Sequence, residues 1–293
     1  MSFNSYDPNM SLLLAQAVEQ AYQYYVAWSQ GNTYKINLPG YSVQSIIQVW
    51  EIDEYVPIGF TAVGIQPGIS SRNLVIFRGT QTDEESIEDM CWEGVSCVLS
   101  GVSCGTAASG IYSFYTGDDL GAVTSLEVSV QTAVNQLVTR KGASAVWYFA
   151  GHSLGGALVT LACLDAVAGG WLSSQTSPDV MLYTYGSLHL GQSDFAKVFN
   201  QNINPNPSAN KAFRVANLAD WVPSFLGGFI DIPDCQDGPA GQDTPGYVHV
   251  GQLCSYLWQT DGDWNNHALN NTYLTTLSKH PNVIKIGPRQ YPQ

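Results

Sequence analysis

Residues 146 to 156, Val-Trp-Tyr-Phe-Ala-Gly-His-Ser-Leu-Gly-Gly, carry a hydrophobic run into a G-x-S-x-G turn and out into a stretch of small and aliphatic residues. That pattern is a nucleophile elbow: a sharp strand-to-helix turn lifts one hydroxyl clear of a sheet, and glycine beside it lets the backbones come close. The flanks have the required character, since Ala145 to Ala150 reads as a buried strand and Gly155 to Ala168 as an Ala/Leu/Val helix. Ser153 is therefore the candidate nucleophile.

A serine hydroxyl is a weak nucleophile at neutral pH and needs a base in hydrogen-bond reach, plus a carboxylate that orients the base. In folds built around such an elbow the order along the chain is Ser, then Asp or Glu, then His. Of the five histidines, His152 adjoins the nucleophile and is expected to point away from it. His189 precedes Asp220, His249 sits in an apolar run as a core histidine would, and His280 is followed by Pro281 near the end. His267 remains, in the stretch Asp261-Gly-Asp-Trp-Asn-Asn-His. For the acid, Asp220 follows a strand at Phe213 to Asn217, where a side chain points into a strand-end site. Asp165, Asp179 and Asp194 fall on helix or helix-loop positions that suit caps or solvent. Acyl transfer also needs donors for the developing oxyanion, and the backbone N–H groups of Leu154, after the nucleophile, and Thr80, after an earlier strand, fit those places. Gly79 lets the second of these loops approach a substrate.

The elements that must hold these residues follow from pattern. Ser11 caps a predicted helix running to about Ser29, with Leu13, Leu14, Ala17 and Ala21 toward a sheet and Gly31 as the stop. Strands are expected at Ser45 to Glu51, Gly59 to Gln66 and Arg72 to Phe77, then at Val180 to Tyr185, Phe213 to Asn217 and Tyr247 to Leu253; Val123 to Arg140 reads as an amphipathic helix. Residues 81 to 110 have no clean period. They mix acidic Asp83 to Asp89 with apolar Trp92, Val98 and Leu99 and read as a mobile cover rather than a core element. Residues 231 to 246 form a loop rich in Pro, Gly and Asp. Strands alternating with helices predict an α/β fold with a mostly parallel sheet and its ligand site at the carboxyl ends of the strands.

Composition sets bounds on all this. The 293 residues are 45% hydrophobic and only 12% charged, with no repeat or linker, so a single domain over 1–293 is expected. A net charge of -13 argues against nucleic acid and anionic membrane surfaces, both of which need clustered Lys and Arg. The first basic residue is Lys35 and the block Leu12 to Leu14 is too short for a signal peptide, which leaves a cytoplasmic protein or a mature secreted form. Six cysteines show no zinc spacing, and no metal or cofactor is expected. Cys163 reads as a small core hydrophobe, and bridges within Cys91, Cys97 and Cys104, or between Cys235 and Cys254, stay open. Asn270-Asn-Thr is a glycosylation sequon by pattern.

Five blocks give the chain a family resemblance over roughly residues 40 to 280: Val-Ile-Phe-Arg-Gly-Thr (75–80), Gly-His-Ser-Leu-Gly-Gly (151–156), Tyr-Gly-Ser (185–187), Phe-Arg-Val-Ala-Asn-Leu-Ala-Asp-Trp-Val-Pro (213–223) and Tyr-Val-His-Val-Gly (247–251). The chain resembles the class 3 lipases, which include filamentous-fungal triacylglycerol lipases and plant acylhydrolases. The resemblance implies an α/β-hydrolase fold, a triad of Ser153, Asp220 and His267, oxyanion donors at Thr80 and Leu154, and a lid after Thr80. It departs from the family at His189, where a basic residue is usual, at Ala108 to Tyr112, and at Tyr273, which follows the triad histidine later than usual. The implied function is hydrolysis of carboxylic esters of acyl lipids, foremost triacylglycerol. Phospholipase A1, galactolipase or feruloyl-type esterase activity on the same triad are alternatives, and a non-catalytic binding protein of the same fold is a further one. Trp92, Val98 and Leu99 either meet a lipid–water interface as part of a lid or pack permanently on the body.

Overall fold

A computed structural model describes residues 5–51, 54–81, 91–117, 124–141, 146–172, 179–205, 210–225 and 246–287. The elements are α1 (Pro8–Ser29), β1 (Tyr41–Glu51), β2 (Glu54–Gly64), β3 (Arg72–Phe77), β4 (Gly94–Leu99), β5 (Val102–Ala108), α2 (Ser109–Thr116), α3 (Leu126–Lys141), β6 (Val146–His152), α4 (Leu154–Ala168), β7 (Asp179–Tyr185), β8 (Gly191–Gln192), α5 (Ser193–Ile203), β9 (Ala212–Asn217), β10 (Tyr247–Val248), β11 (Gln252–Tyr256), α6 (Asp263–His267), α7 (Leu274–Lys279) and β12 (Lys285–Ile286).

An eight-stranded sheet runs in the order β1-β2-β3-β6-β7-β9-β11-β12. From β3 through β6, β7 and β9 to β11 the strands are parallel, while β1, β2 and β12 pair antiparallel at the edges. The central strands read as unbroken apolar runs because both faces are covered. Along β3, Leu74 and Ile76 pack toward Leu14, Ala17 and Val18 of α1, while the alternate residues Val75 and Phe77 pack toward Leu158 and Leu161 of α4. Every α4 residue from Leu154 to Ala166 is buried, so this helix shows no amphipathic stripe.

Four expectations need correction. First, α1 begins at Pro8, not Ser11: Asp7 is the cap, its Oδ1 accepting from the N–H groups of Asn9 (2.9 Å) and Met10 (3.2 Å). Proline suits a first helical position because its missing donor is not needed there. Ser11 is instead buried against Tyr185. Second, the run Tyr247 to Leu253 is two strands: β10 pairs with β8 in a four-stranded sheet of order β10-β8-β5-β4, and β11 joins the main sheet. The break falls at Gly251, whose φ of 87° turns the chain from one sheet to the other.

Third, within the segment read as a cover, residues 94–108 form a hairpin of the body. Ser100 and Gly101 make its two-residue turn, with φ of 47° and 77°. Cys97, Leu99, Cys104 and Ala107 face the core, and Ser100 Oγ donates to Asp165 Oδ1 at 2.7 Å, tying the tip to the end of α4 remote from Ser153. Alternation of small and apolar residues on one face is a strand period, hidden in the sequence by the bulge between Ser96 and Val98. Trp92 packs edge-on against Phe225 and Tyr247 instead of covering the site. The acidic stretch Asp83 to Asp89 lies outside the described residues, as do residues 231 to 245, Cys235 among them. Cys91, Cys97, Cys104, Cys163 and Cys254 are free thiols. Fourth, Asp165 is a buried residue of α4 that accepts from Tyr115 (3.0 Å) as well as Ser100, where a capping or solvent-facing one was expected.

Candidate active site

Ser153 joins β6 to α4 with φ 56° and ψ -130°, a strained conformation for a residue with a side chain. The neighbouring glycines explain how the turn is tolerated. A Cβ on Gly151 would stand 2.2 Å from the carbonyl oxygen of Gly155, and one on Gly155 would stand 2.0 Å from that of Arg78. Gly79 is as tightly held, since its Cβ would meet the Ser153 Cβ at 2.7 Å and the Tyr22 hydroxyl at 2.5 Å. The loop after β3 is thereby pressed against the elbow, and Thr80 and Ser153 line the same cleft. Leu154 opens α4, so its N–H belongs to the first turn of a buried helix, where donors lack intrahelical partners and the dipole favours negative charge. The Ser153 side chain makes no capping bond to that turn.

Instead, Ser153 Oγ lies 2.8 Å from His267 Nε2, and His267 Nδ1 lies 2.7 Å from Asp220 Oδ2. These three residues, more than a hundred positions apart at the extremes, form one buried line. Asp220 follows β9 as expected and is fully buried; Val222 N–H donates to its Oδ1 at 3.0 Å. Tyr273 donates to Asp220 Oδ2 at 2.6 Å. Burial, and then the Asp220 charge, hold the Tyr273 hydroxyl well above the usual phenol range, so it stays a donor. His267 does not sit in a loop but ends the short helix α6, and a π-helical turn, Leu269–Tyr273, follows. The wider turn, with its extra residue, places Tyr273 on Asp220 despite its late position in the sequence.

One buried amide fixes the histidine-bearing segment to the aspartate-bearing one, and a second braces the histidine-bearing segment itself. Asn217, the last residue of β9, donates through Nδ2 to the carbonyls of Trp258 (2.9 Å) and Asn266 (3.2 Å), and its Oδ1 accepts from the N–H of Trp258 (2.9 Å). Asn266 Oδ1 accepts from Thr260 N–H at 2.7 Å. Asn217 thus pins the segment carrying Asp220 to the segment carrying His267, a role that its spacing in the sequence did not disclose.

His152 points away from the Ser153 hydroxyl, as expected, but is not idle. It does not reach the Ser153 hydroxyl, yet it lines the cleft and stacks on His267, with ring centroids 4.6 Å apart. Its Nε2 is 2.9 Å from the His267 carbonyl and its Nδ1 is 2.7 Å from the Tyr22 hydroxyl, which also accepts from Gly79 N–H at 2.8 Å. For a neutral ring one assignment of protons satisfies all three contacts: Nε2–H donates to the carbonyl and the Tyr22 O–H donates to Nδ1. Burial, and then the neighbouring His267, hold the His152 pKa well below the usual value, so the ring stays neutral and keeps this tautomer. A chain of bonds therefore runs from the Thr80 loop through α1 and the elbow to the backbone of His267. His249, in contrast, is the buried core histidine expected, stacked on His189 at 3.6 Å.

Above Ser153 lies a cleft of about 640 Å³, within the range of small-molecule sites. Residues of α1 form one wall; Trp264, His267 and Leu269 form the other. Trp264 is 56% exposed and meets the His267 ring edge-on at 6.1 Å. Among the described residues no group of three His, Cys, Asp or Glu side chains is placed to hold a metal ion, and no helix is long and apolar enough to cross a membrane.

Residues 74–229 match the family Lipase (class 3). Phospholipase A1-IIgamma of Arabidopsis thaliana is 36% identical over 81 residues, a stretch that is 26% of this chain and only 18% of that protein's length. Among solved structures, the Rhizomucor miehei triacylglyceride lipase superposes with a TM-score of 0.59 at 19% identity, covering 86% of this chain and 82% of its own. The Lip2 lipase of Yarrowia lipolytica gives 0.58 at 15% identity over 85% and 78% of the two chains, and a triacylglycerol lipase of Penicillium expansum gives 0.54 at 17% over 92% and 90%. At these identities the likeness is one of fold, and the fold is the α/β-hydrolase arrangement expected from the sequence.

Proposed function

This chain belongs to the class 3 lipase family, and we propose that it hydrolyses carboxylic esters of acyl lipids, triacylglycerol foremost, through a covalent acyl-enzyme on Ser153. The observation that carries the proposal is the line Asp220, His267, Ser153 at 2.7 and 2.8 Å, whose Ser153 and His267 line the cleft. His267 Nε2 takes the Ser153 proton as Oγ attacks the ester carbonyl. Asp220, accepting from Nδ1–H, holds the ring and stabilises the imidazolium. The carbonyl electrons move to oxygen, which rests against the backbone donors of Leu154 and Thr80. Collapse expels the alcohol, protonated by His267, and leaves Ser153 acylated. Water, deprotonated by His267 in its turn, then releases the fatty acid.

The match to a phospholipase A1 favours a second reading, in which the same machinery takes phospholipid esters. A series of p-nitrophenyl esters from acetate to palmitate, with triolein emulsion and phosphatidylcholine beside it, separates the two. Ser153→Ala should abolish all turnover, a loss on the order of a millionfold, with the melting temperature retained. Hydrolysis that survives in Ser153→Ala removes Ser153 from the mechanism. No activity on any ester in the unmodified protein leaves a binding protein of the same fold.

A further inference from the structure

Helix α1 has two working faces. Leu14, Ala17, Val18 and Ala21 are buried in the sheet-facing core. Glu19, Tyr22, Gln23, Val26 and Gln30, spaced by three and four residues, occupy a second stripe, and that stripe is a wall of the Ser153 cleft. Trp264 and Leu269 line the same cleft. Apolar Val26, Trp264 and Leu269 suit an alkyl chain, while Glu19, Gln23 and Gln30 offer hydrogen-bonding groups that such a chain does not use.

Glu19 is the one carboxylate among the described residues lining the cleft, and no Lys or Arg lines it there. Gln23 Nε2 donates to Glu19 Oε1 at 3.1 Å, and Gln23 Oε1 accepts from Gln20 Nε2 at 3.1 Å and from the Tyr34 hydroxyl. These bonds hold the Glu19 side chain in one orientation before any ligand arrives, with its second oxygen left to accept from a ligand. Partial withdrawal from water pushes its carboxyl above the ordinary range against the Gln23 bond, so a further donor on that oxygen is favourable. A phosphodiester at this wall would meet a carboxylate and no cation, the reverse of what recognises phosphate.

We propose that Glu19, braced by Gln23, is a specificity-determining residue that accepts hydrogen bonds from free hydroxyls on the alcohol side of the ester, so that the preferred substrates are acyl esters of an uncharged polyol and not phosphodiester lipids. The proposal rests on the hydrolase reading above and names which esters that site selects.

The test compares kcat/KM for 1-octanoylglycerol and ethyl octanoate, which share an acyl chain, both dissolved below the concentrations at which they aggregate. The unmodified protein should favour the glyceryl ester, and Glu19→Leu should lower that ratio by about tenfold, the scale of one hydrogen bond to a charged group at a half-exposed site. Glu19→Gln, which keeps an acceptor, should fall between the two and decides the matter if Glu19→Leu does not fold. A ratio unchanged by the substitutions overturns the inference while ethyl octanoate hydrolysis leaves the hydrolase reading standing. Octanoyl glycerophosphocholine turned over as fast as 1-octanoylglycerol also overturns it. Hydrolysis of neither simple ester overturns both.

Discussion

Two pairs of stacked, buried histidines occupy this molecule, and they have little else in common. His152 and His267 stack at 4.6 Å beside Ser153; His189 and His249 stack at 3.6 Å beneath the segment that follows Asp220. In the second pair His189 Nδ1 lies 2.8 Å from the carbonyl of Phe225 and His249 Nε2 lies 2.7 Å from that of Pro223. Both rings donate to backbone and pin residues 223 to 225, and burial holds both pKa values down. In the first pair only His152 is spent in this way. His267 keeps Nε2 for a serine hydroxyl because its other nitrogen has a carboxylate partner. Burial and stacking therefore do not distinguish the two pairs, whereas the carboxylate on the far nitrogen of His267 does.

The largest effect expected from this contrast is on turnover. His267→Ala should cost on the order of a millionfold in kcat, because without the base Ser153 has no proton acceptor. His249→Phe, which keeps an aromatic ring in the stack but removes the bond to Pro223, should lower the melting temperature and leave kcat within a few-fold. The pair of measurements is an ester assay and a thermal melt on each variant. Lost turnover in His249→Phe with His267→Ala still active would mean that the roles of the two pairs are reversed.

A smaller effect sharpens the division within the first pair. Tyr22→Phe removes the donor to His152 Nδ1 and the acceptor for Gly79 N–H, so the Thr80 loop loses a tie to the elbow while the Asp220–His267–Ser153 line stays whole. We expect kcat to fall between tenfold and a hundredfold, the scale of a displaced oxyanion donor, with a near-unchanged melting temperature. An unchanged kcat would show that the chain of bonds through Tyr22 is structural only.

How far these residues could be read from the sequence follows the same division. The elbow was legible because glycines, flanking strand and flanking helix all constrain it at once. The order Ser, Asp, His then selected Asp220 and His267 from the alternatives, and the strands β3, β6, β7 and β9 were plain as apolar runs. What the sequence hid was contact across long separations. Tyr22 lies 130 residues from His152, and Asn217 lies 49 from Asn266. Nothing local in the sequence says that the stripe Glu19, Tyr22, Gln23 on α1 faces a cleft and not bulk water. The hairpin at 94–108 was obscured by its bulge, and Tyr273 by a π turn that changes the count of residues between it and His267.

The smallest expected effect concerns both pairs together and is read as stability against pH. His152, His189 and His249 are neutral in the folded protein, burial being the first cause in each case, with His189 brought down to about 3. In the unfolded chain each takes up a proton near pH 6.5. Below that pH the unfolded state binds more protons than the folded one, so stability falls as pH is lowered. For His189 the loss runs from about 6.5 down to about 3 and ceases below that, once the folded state is protonated too. Each histidine contributes about 1 kcal/mol per pH unit over its own window, so three together make the slope steep. Denaturant melts at half-unit steps from pH 7 to pH 4 measure it. His249→Phe should flatten the curve by about one histidine's share while lowering its plateau, because one protonation is removed from the unfolded state along with one bond from the folded state. A slope that His249→Phe leaves unaltered would place the acid sensitivity in the carboxylates and not in the stacked pairs.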